Sequence, residues 1–217
     1  MSHDPRDVPF NIHFLGARKT GKTYCMVREC GRRARVCLID PSSSVRWRYT
    51  TSDPATLKAT MQGHRVCDLV IQCAPRKDAV STAALAGLDA ATSTRGWCTL
   101  AIDELHFVRP AAVEEIQGIA RVGRHGGLDT AFLFASQRAV DATPDLRAIM
   151  DLLVIFRVAG GTEHRAMRDI GGRALEDAVQ ALPRYHAIVY DTCSGRWHQR
   201  TPEQLERGDW GHAELSA

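Results

Sequence analysis

The sequence has few aromatic residues, no long apolar run and almost no excess of either charge. Aromatic residues make up 6% of the 217 residues, and 28 Lys and Arg face 25 Asp and Glu, a formal net charge of +3. Apolar stretches such as Leu152–Phe156 are far too short to cross a bilayer, and the start MSHDPRDVPF lacks an apolar run behind a basic patch. We therefore expect a soluble cytoplasmic protein, and the net charge alone does not indicate nucleic acid.

Disulfide and metal-site spacings are also missing. The seven cysteines form no CxxC pair, and the nine histidines form no HxxH or HExxH pair. Cysteines such as Cys37 and Cys73 lie in apolar, strand-like runs, which is typical of buried thiols in a reducing compartment. We expect neither a disulfide framework nor a structural metal.

Apolar strand-like segments alternate with helical patterns along the chain. The predicted strands are Asn11–Leu15, Arg35–Asp40, Cys67–Cys73, Trp97–Ile102, Thr130–Ala135 and Leu152–Val158. The predicted helices are Tyr24–Arg33, Asp78–Thr94, Ala111–Arg124, Glu163–Ile170 and Ala174–Leu182. The segments Tyr185–Asp191 and Arg196–Arg200 predict a terminal β-hairpin around Ser194-Gly195.

This alternation predicts a three-layer α/β fold with a mostly parallel central sheet and ligands beyond the carboxyl ends of the strands. The length is ordinary for one domain. We expect a single domain over residues 1–217, with its core at about 10–190 and a C-terminal hairpin and tail at 185–217.

A phosphate-binding loop, GARKTGKT, follows the first predicted strand and opens the first helix. Its terminal glycines let the backbone approach a phosphate chain, Lys22 places a charge on the outer phosphates, and Thr23 offers a hydroxyl to Mg²⁺. The helix N-terminus adds partial positive charge. The pattern predicts that ATP and Mg²⁺ are bound by Gly16, Ala17, Arg18, Lys19, Thr20, Gly21, Lys22, Thr23 and Tyr24.

Two adjacent acids, Asp103 and Glu104, follow the apolar run WCTLAI. Asp103 is predicted to hold a magnesium-bound water beside Thr23, and Glu104 to orient and polarise the water that attacks the γ-phosphate. Gln137 ends the next strand, where its amide can hydrogen-bond both that water and the γ-phosphate. Each feature alone is common at strand ends, but together with the loop they predict ATP hydrolysis.

Arg121 and Arg124 close the helix before the Gln137 strand. Basic side chains suit a helix C-terminus for purely structural reasons. The functional alternative is an arginine finger that reaches the ATP of a neighbouring subunit and stabilises charge in the transition state.

Two basic segments are candidates for nucleic-acid contact. Arg46, Trp47, Arg48 and Tyr49 alternate arginines with aromatic rings, and the segment from His106 to Arg109 lies just past the acid pair. The alternative is that the rings pack under a loop whose arginines face water.

Several segments together resemble the FtsK/HerA superfamily of DNA-pumping ATPases over roughly residues 10–190: GKT, LIDP, AIDEL, GRHGGLDTAFLFASQR and IFRV. The resemblance implies that the Gln137 strand lies between the loop strand and the Asp103 strand. It also implies that Arg124, with Arg121 second, is the finger.

The small size resembles the genome-packaging ATPases of tailless icosahedral, membrane-containing DNA viruses. That resemblance implies a pentameric or hexameric ring that moves double-stranded DNA into a preformed capsid. It also implies a capsid or membrane vertex protein as partner, and a location in the host cytoplasm or at the virion vertex.

Three alternatives remain open from the sequence. A plasmid-borne or cellular DNA translocase would share the same chemistry. A nucleotide or small-molecule kinase would use Arg165, Arg168 and Arg173 in a lid, although adjacent acids and Gln137 suit activation of water, which a kinase excludes. A scaffold that binds ATP without hydrolysing it is disfavoured by the complete loop and Glu104.

Overall fold

The computed structural model describes residues 10–47, 49–63, 67–94, 97–126 and 130–211. Within these residues, nine strands form one sheet in the order β3-β4-β2-β5-β6-β1-β7-β8-β9. Pairings from β3 to β7 are parallel, whereas β7 with β8 and β8 with β9 are antiparallel. The strands are β1 (Ile12–Leu15), β2 (Arg35–Asp40), β3 (Tyr49–Thr51), β4 (Cys67–Gln72), β5 (Cys98–Ile102), β6 (Thr130–Ser136), β7 (Leu152–Phe156), β8 (Ala187–Asp191) and β9 (Trp197–Arg200).

Helices cover both faces of this sheet. In the described part of the chain they are α1 (Lys22–Cys30), α2 (Leu57–Gly63), α3 (Lys77–Thr92), α4 (Pro110–Gly126), α5 (Pro144–Arg147), α6 (Gly161–Gln180) and α7 (Pro202–Arg207). Helices α2 to α6 pack into one apolar cluster, and α1 and α7 pack into a second one on the other face. None of the helices in the described ranges is long and apolar enough to cross a membrane.

Burial on both faces explains why the central strands are apolar without a polar alternation. In β2, Val36 and Leu38 join the cluster on the α1 side, whereas Cys37 and Ile39 join the opposite cluster. Strand β7 is buried at every position. The predicted three-layer fold, the mostly parallel sheet and the terminal hairpin are confirmed.

Some element predictions need correction. The polar segment before the acidic turn at Asp53 contains a short edge strand, β3, and the residues after that turn form α2. Their sequence signals are weak, because β3 has three residues and α2 buries only Leu57 and Met61. The tail also contains α7, which the sequence analysis did not predict.

The predicted strand Leu152–Val158 ends two residues early, at Phe156. The two predicted helices between β7 and β8 both form within α6, Gly161–Gln180, and meet at a kink where Gly171 and Gly172 leave helical geometry with φ angles of −138° and 78°. The positive φ of Gly172 is one that glycine adopts readily. Because β7 ends and β8 begins at the same edge, α6 runs away from that edge and returns to it.

The strand order positions the site. Strand β6 lies between β1 and β5, as the superfamily resemblance implies. All three run parallel, so the loop after β1, the acids after β5 and Gln137 after β6 lie at one edge of the sheet.

Candidate active site

The phosphate-binding loop is wound tightly against the end of β7. Gly16 has a φ of 149°, and a Cβ placed on it would lie 2.7 Å from the Phe156 Cβ, so only glycine fits there. The Ala17 amide donates to the Arg157 carbonyl over 2.9 Å, and the Thr20 hydroxyl donates to the Ala17 carbonyl over 2.8 Å. These contacts hold the loop open above the first turn of α1, whose amide groups lack intrahelical acceptors.

Lys22 begins α1 with its side chain turned into the loop. The residue is 5% exposed, and its Nζ donates to the Ala17 carbonyl over 3.0 Å. Burial lowers the pKa of Lys22, while the nearby carboxylates of Glu104 and Asp103 raise it. A neutral carbonyl is a weaker partner than an anionic oxygen, so the ammonium is placed to exchange that contact for a phosphate.

Thr23 and Asp103 meet across the sheet edge. The Thr23 Oγ1 lies 3.2 Å from each carboxylate oxygen of Asp103, which is 2% exposed. Burial, followed by the charge of Glu104, raises the pKa of Asp103 to about 6, against the opposing effect of the Thr23 hydroxyl. A hydroxyl beside a buried carboxylate of raised pKa suits Mg²⁺, which prefers oxygen ligands and would favour the ionised form.

Glu104 adopts a left-handed backbone conformation with a φ of 55°, an uncommon conformation for a residue with a side chain. The Gln137 Nε2 donates to the Glu104 Oε1, and the Arg18 Nε donates to the Gln137 Oε1 over 2.9 Å. The other carboxylate oxygen of Glu104 lies 3.3 Å from the His106 Nδ1. The result is a hydrogen-bonded chain from the phosphate loop to Glu104, which we call the Arg18–Gln137–Glu104 chain.

A cavity of about 460 Å³ is lined by the loop residues Arg18 to Tyr24 together with Glu104 and Gln137. The structure therefore brings the loop, both acids and the glutamine together at one place. This convergence is what activation of a water beside a bound phosphate requires, since the base must lie within hydrogen-bonding reach.

The supporting roles of two residues were not predicted from the sequence. His106, predicted only as the start of the basic segment that ends at Arg109, contacts Glu104. His13 is fully buried in β1, and its Nε2 lies 2.6 Å from the hydroxyl of Ser136, the residue before Gln137. The sequence signal for the His13–Ser136 contact is a histidine inside the apolar run NIHFL, because a buried polar side chain needs a hydrogen-bond partner.

The candidate arginine fingers lie away from the loop of their own chain. Helix α4 starts near the acids and runs to the opposite edge of the sheet, where β6 begins. Arg121 is eleven residues into α4, about 16 Å along its axis, and its Nη2 pairs with the Asp145 carboxylate at 3.1 Å. The side chain of Arg124 lies outside the described residues. Arg121 does not line the cavity beside the phosphate loop of its own chain.

Among the described residues, none of the nucleic-acid candidates lines this cavity. Arg46 is exposed, but Trp47 is partly buried against the apolar cluster that contains α1. Arg48 lies outside the described residues. The Arg109 guanidinium pairs with the Asp78 carboxylate, and both side chains are exposed. Trp47 therefore has a packing role, whereas Arg46 faces solvent.

The loop, the interposed strand β6 and the acid pair define a three-layer P-loop NTPase fold of the additional-strand type. Comparison with models of known protein families and with curated proteins gave no match.

Solved structures do match. The chain is similar to the genome packaging NTPase B204 of Sulfolobus turreted icosahedral virus 2 in complex with AMPPCP, with 19% identity, a TM-score of 0.67, and coverage of 90% of this chain and 99% of that one. It is similar to VirB4 of Thermoanaerobacter pseudethanolicus, with 10% identity, a TM-score of 0.63, and coverage of 90% and 91%. It is also similar to the pCW3 conjugation coupling protein TcpA with ATPγS, with 13% identity, a TM-score of 0.54, and coverage of 92% and 65%. At these identities the likeness shows the fold.

Proposed function

We propose that this protein hydrolyses ATP with Mg²⁺ and uses the energy to move double-stranded DNA, packaging a viral genome into a preformed capsid. The observation that supports hydrolysis best is the Arg18–Gln137–Glu104 chain, which holds a carboxylate beside the phosphate loop. This arrangement presents a base to a water molecule instead of excluding water from the site.

Different residues carry out phosphate binding, metal binding and hydrolysis. The loop backbone and Lys22 would bind the phosphates, the Thr23 hydroxyl would ligate Mg²⁺, and Asp103, beside Thr23, would hold a magnesium-bound water. Bound Mg²⁺ neutralises charge on the outer phosphates. Glu104 accepts a hydrogen bond from the attacking water and takes up its proton, while Gln137 keeps the Glu104 carboxylate in position.

The kinase alternative loses support at α6. The Arg168 Nε pairs with the Glu176 carboxylate at 2.6 Å, and the Arg173 Nε lies 3.7 Å from the Asp177 carboxylate. Both arginines lie beside the kink, on the part of α6 that has run away from the ligand edge. They are therefore poorly placed to close over an acceptor at the loop.

The DNA-moving role rests on the likeness in fold. The B204 structure is described as a genome packaging NTPase, and the alignment covers 90% of this chain and 99% of that one. A plasmid-borne DNA translocase is the second candidate, because the conjugation coupling protein TcpA shares the fold. For either role we propose a pentameric or hexameric ring. The packaging role adds a capsid or membrane vertex protein as partner and places the motor in the host cytoplasm or at the virion vertex.

The proposed function is tested by measuring ATP hydrolysis with and without duplex DNA, alongside native mass spectrometry in Mg²⁺-ATP. We expect hydrolysis that depends on Mg²⁺, rises with duplex DNA and coincides with ring formation. Glu104→Gln is the matched control, because it preserves shape and removes the base. Full-rate hydrolysis by a monomer, or hydrolysis unaffected by Glu104→Gln, would contradict the proposal.

A further inference from the structure

Tyr185 is an exposed tyrosine in a strained turn beside the phosphate loop. The turn Pro183–His186 connects α6 to β8 and is closed by a 3.2 Å hydrogen bond from the His186 amide to the Pro183 carbonyl. Within it, Tyr185 has a φ of 65°, and the residue is 44% exposed. The left-handed region favours glycine or asparagine and is costly for a bulky side chain.

Core packing does not explain why a tyrosine holds this position. The ring belongs to neither apolar cluster of the described residues. Its Cδ1 instead lies 3.6 Å from the point where a Cβ on Gly21 would stand, so the ring borders the loop at the start of α1. Backbone strain that persists without a packing reason is typical of functional positions.

A neighbouring cation covers one face of the Tyr185 ring. The Arg184 guanidinium lies over it, 4.6 Å from the ring centroid, a cation–π contact that covers one face.

The sheet order places Tyr185 on the side of the loop away from the acids. Glu104 and Gln137 follow β5 and β6 on one side of β1, whereas the Tyr185 turn precedes β8, beyond β7 on the other side. The γ-phosphate must lie near Glu104 if that carboxylate activates the attacking water. The base, at the other end of the nucleotide, then extends toward Tyr185.

We propose that the nucleotide base stacks on the Tyr185 ring, on the face that Arg184 does not cover. This inference rests on the proposed function, because it assumes that the loop binds a nucleoside triphosphate. Stacking contacts the face of a base and not its hydrogen-bonding edge, so it does not distinguish adenine from guanine. The contact therefore adds affinity for ATP and GTP alike.

Calorimetric titration of the full chain with ATP, GTP and inorganic tripolyphosphate in Mg²⁺ tests the assignment. Tyr185→Asn removes the ring but suits the left-handed turn, so we expect ATP and GTP to bind roughly 5- to 150-fold more weakly. Tripolyphosphate has no base, so its affinity should not change. Tyr185→Phe keeps the ring and should bind all three ligands like the parent.

Thermal unfolding without nucleotide separates this role from a structural one. Tyr185→Asn should melt at the parent temperature or above, because the turn loses its strain. Tyr185→Gly serves as a second variant with the same expectations, should the asparagine protein fail to fold.

The inference is overturned if the ring-deleted variants bind ATP like the parent, or if they lose tripolyphosphate affinity to the same degree. If the parent binds neither ATP nor tripolyphosphate, the proposed function fails and the inference falls with it. Normal ATP hydrolysis that depends on Lys22 but is unaffected by the ring-deleted variants would refute only the role of Tyr185.

Discussion

His13 should make the stability of this protein depend on pH in a way that one substitution removes. The side chain is fully buried in β1, where burial lowers its pKa from 6.5 to about 3. In the unfolded chain the same imidazole takes up a proton near pH 6.5. Because the folded pKa is depressed, the neutral form contributes stability that is fully present above pH 6.5 and is lost as pH falls toward 3.

The size of the effect follows from the two pKa values. A difference from 6.5 to about 3 corresponds to about 5 kcal/mol in total, at 1.36 kcal/mol per unit. Between pH 7 and pH 5 the loss is about 2 kcal/mol, because the unfolded imidazole is largely protonated at pH 5 and the folded one is not.

Urea unfolding of the parent and His13→Gln at pH 5, 6, 7 and 8 measures this loss. A glutamine can reach Ser136 as the imidazole Nε2 does over 2.6 Å, but it does not titrate. His13→Gln is expected to be less stable than the parent at pH 7, and the gap should shrink by about 2 kcal/mol at pH 5. Carboxylates common to both proteins cancel in the comparison. A stability difference that is the same at pH 5 and pH 7 would refute the reasoning.

Four further predictions concern the site and its partners. Lys22→Ala should abolish ATP binding or turnover, measured by titration and phosphate release, and unchanged hydrolysis would mean that the loop is not catalytic. Glu104→Gln should still bind ATP but lower kcat about 10²- to 10⁴-fold, since the amide keeps the shape of the side chain and loses its basicity. Normal turnover would mean that the roles given to Asp103 and Glu104 are wrong. Arg124→Ala should bind ATP and hydrolyse it about a thousandfold more slowly, and mixing it with Lys22→Ala should restore some hydrolysis, because mixed rings pair an intact loop with an intact finger. No recovery in rings shown to be mixed would count against a finger in trans. Replacing Arg46 and Arg48 with alanine should weaken DNA binding while ATP binding is retained. The slope of log DNA affinity against log salt concentration should fall by about one released counterion per lost phosphate contact. An unchanged slope would mean that this segment does not contact DNA and has only a packing role.

Local sequence determined the phosphate loop and the acid pair. GARKTGKT specifies strand, turn and helix within a few residues, because Gly16 and Gly21 adopt positive φ angles that other residues avoid. The apolar run before Asp103 indicates a strand buried on both faces, and parallel strands present their carboxyl ends at one edge. The position of Gln137 between loop and acids was implied by the superfamily resemblance.

Contacts distant in sequence were decided only by the tertiary structure. Arg18 meets Gln137 across 119 residues, with no sequence signal that joins them. Gln137 was expected near Glu104, but only the structure shows that its amide donates to the Glu104 carboxylate itself. Tyr185 borders Gly21 only because α6 turns back at its kink and returns the chain to the ligand edge. A short-range pattern specifies the local conformation of the backbone. Which side chains share a cavity depends on the order of the strands and the return path of a helix, and these depend on how the whole core packs.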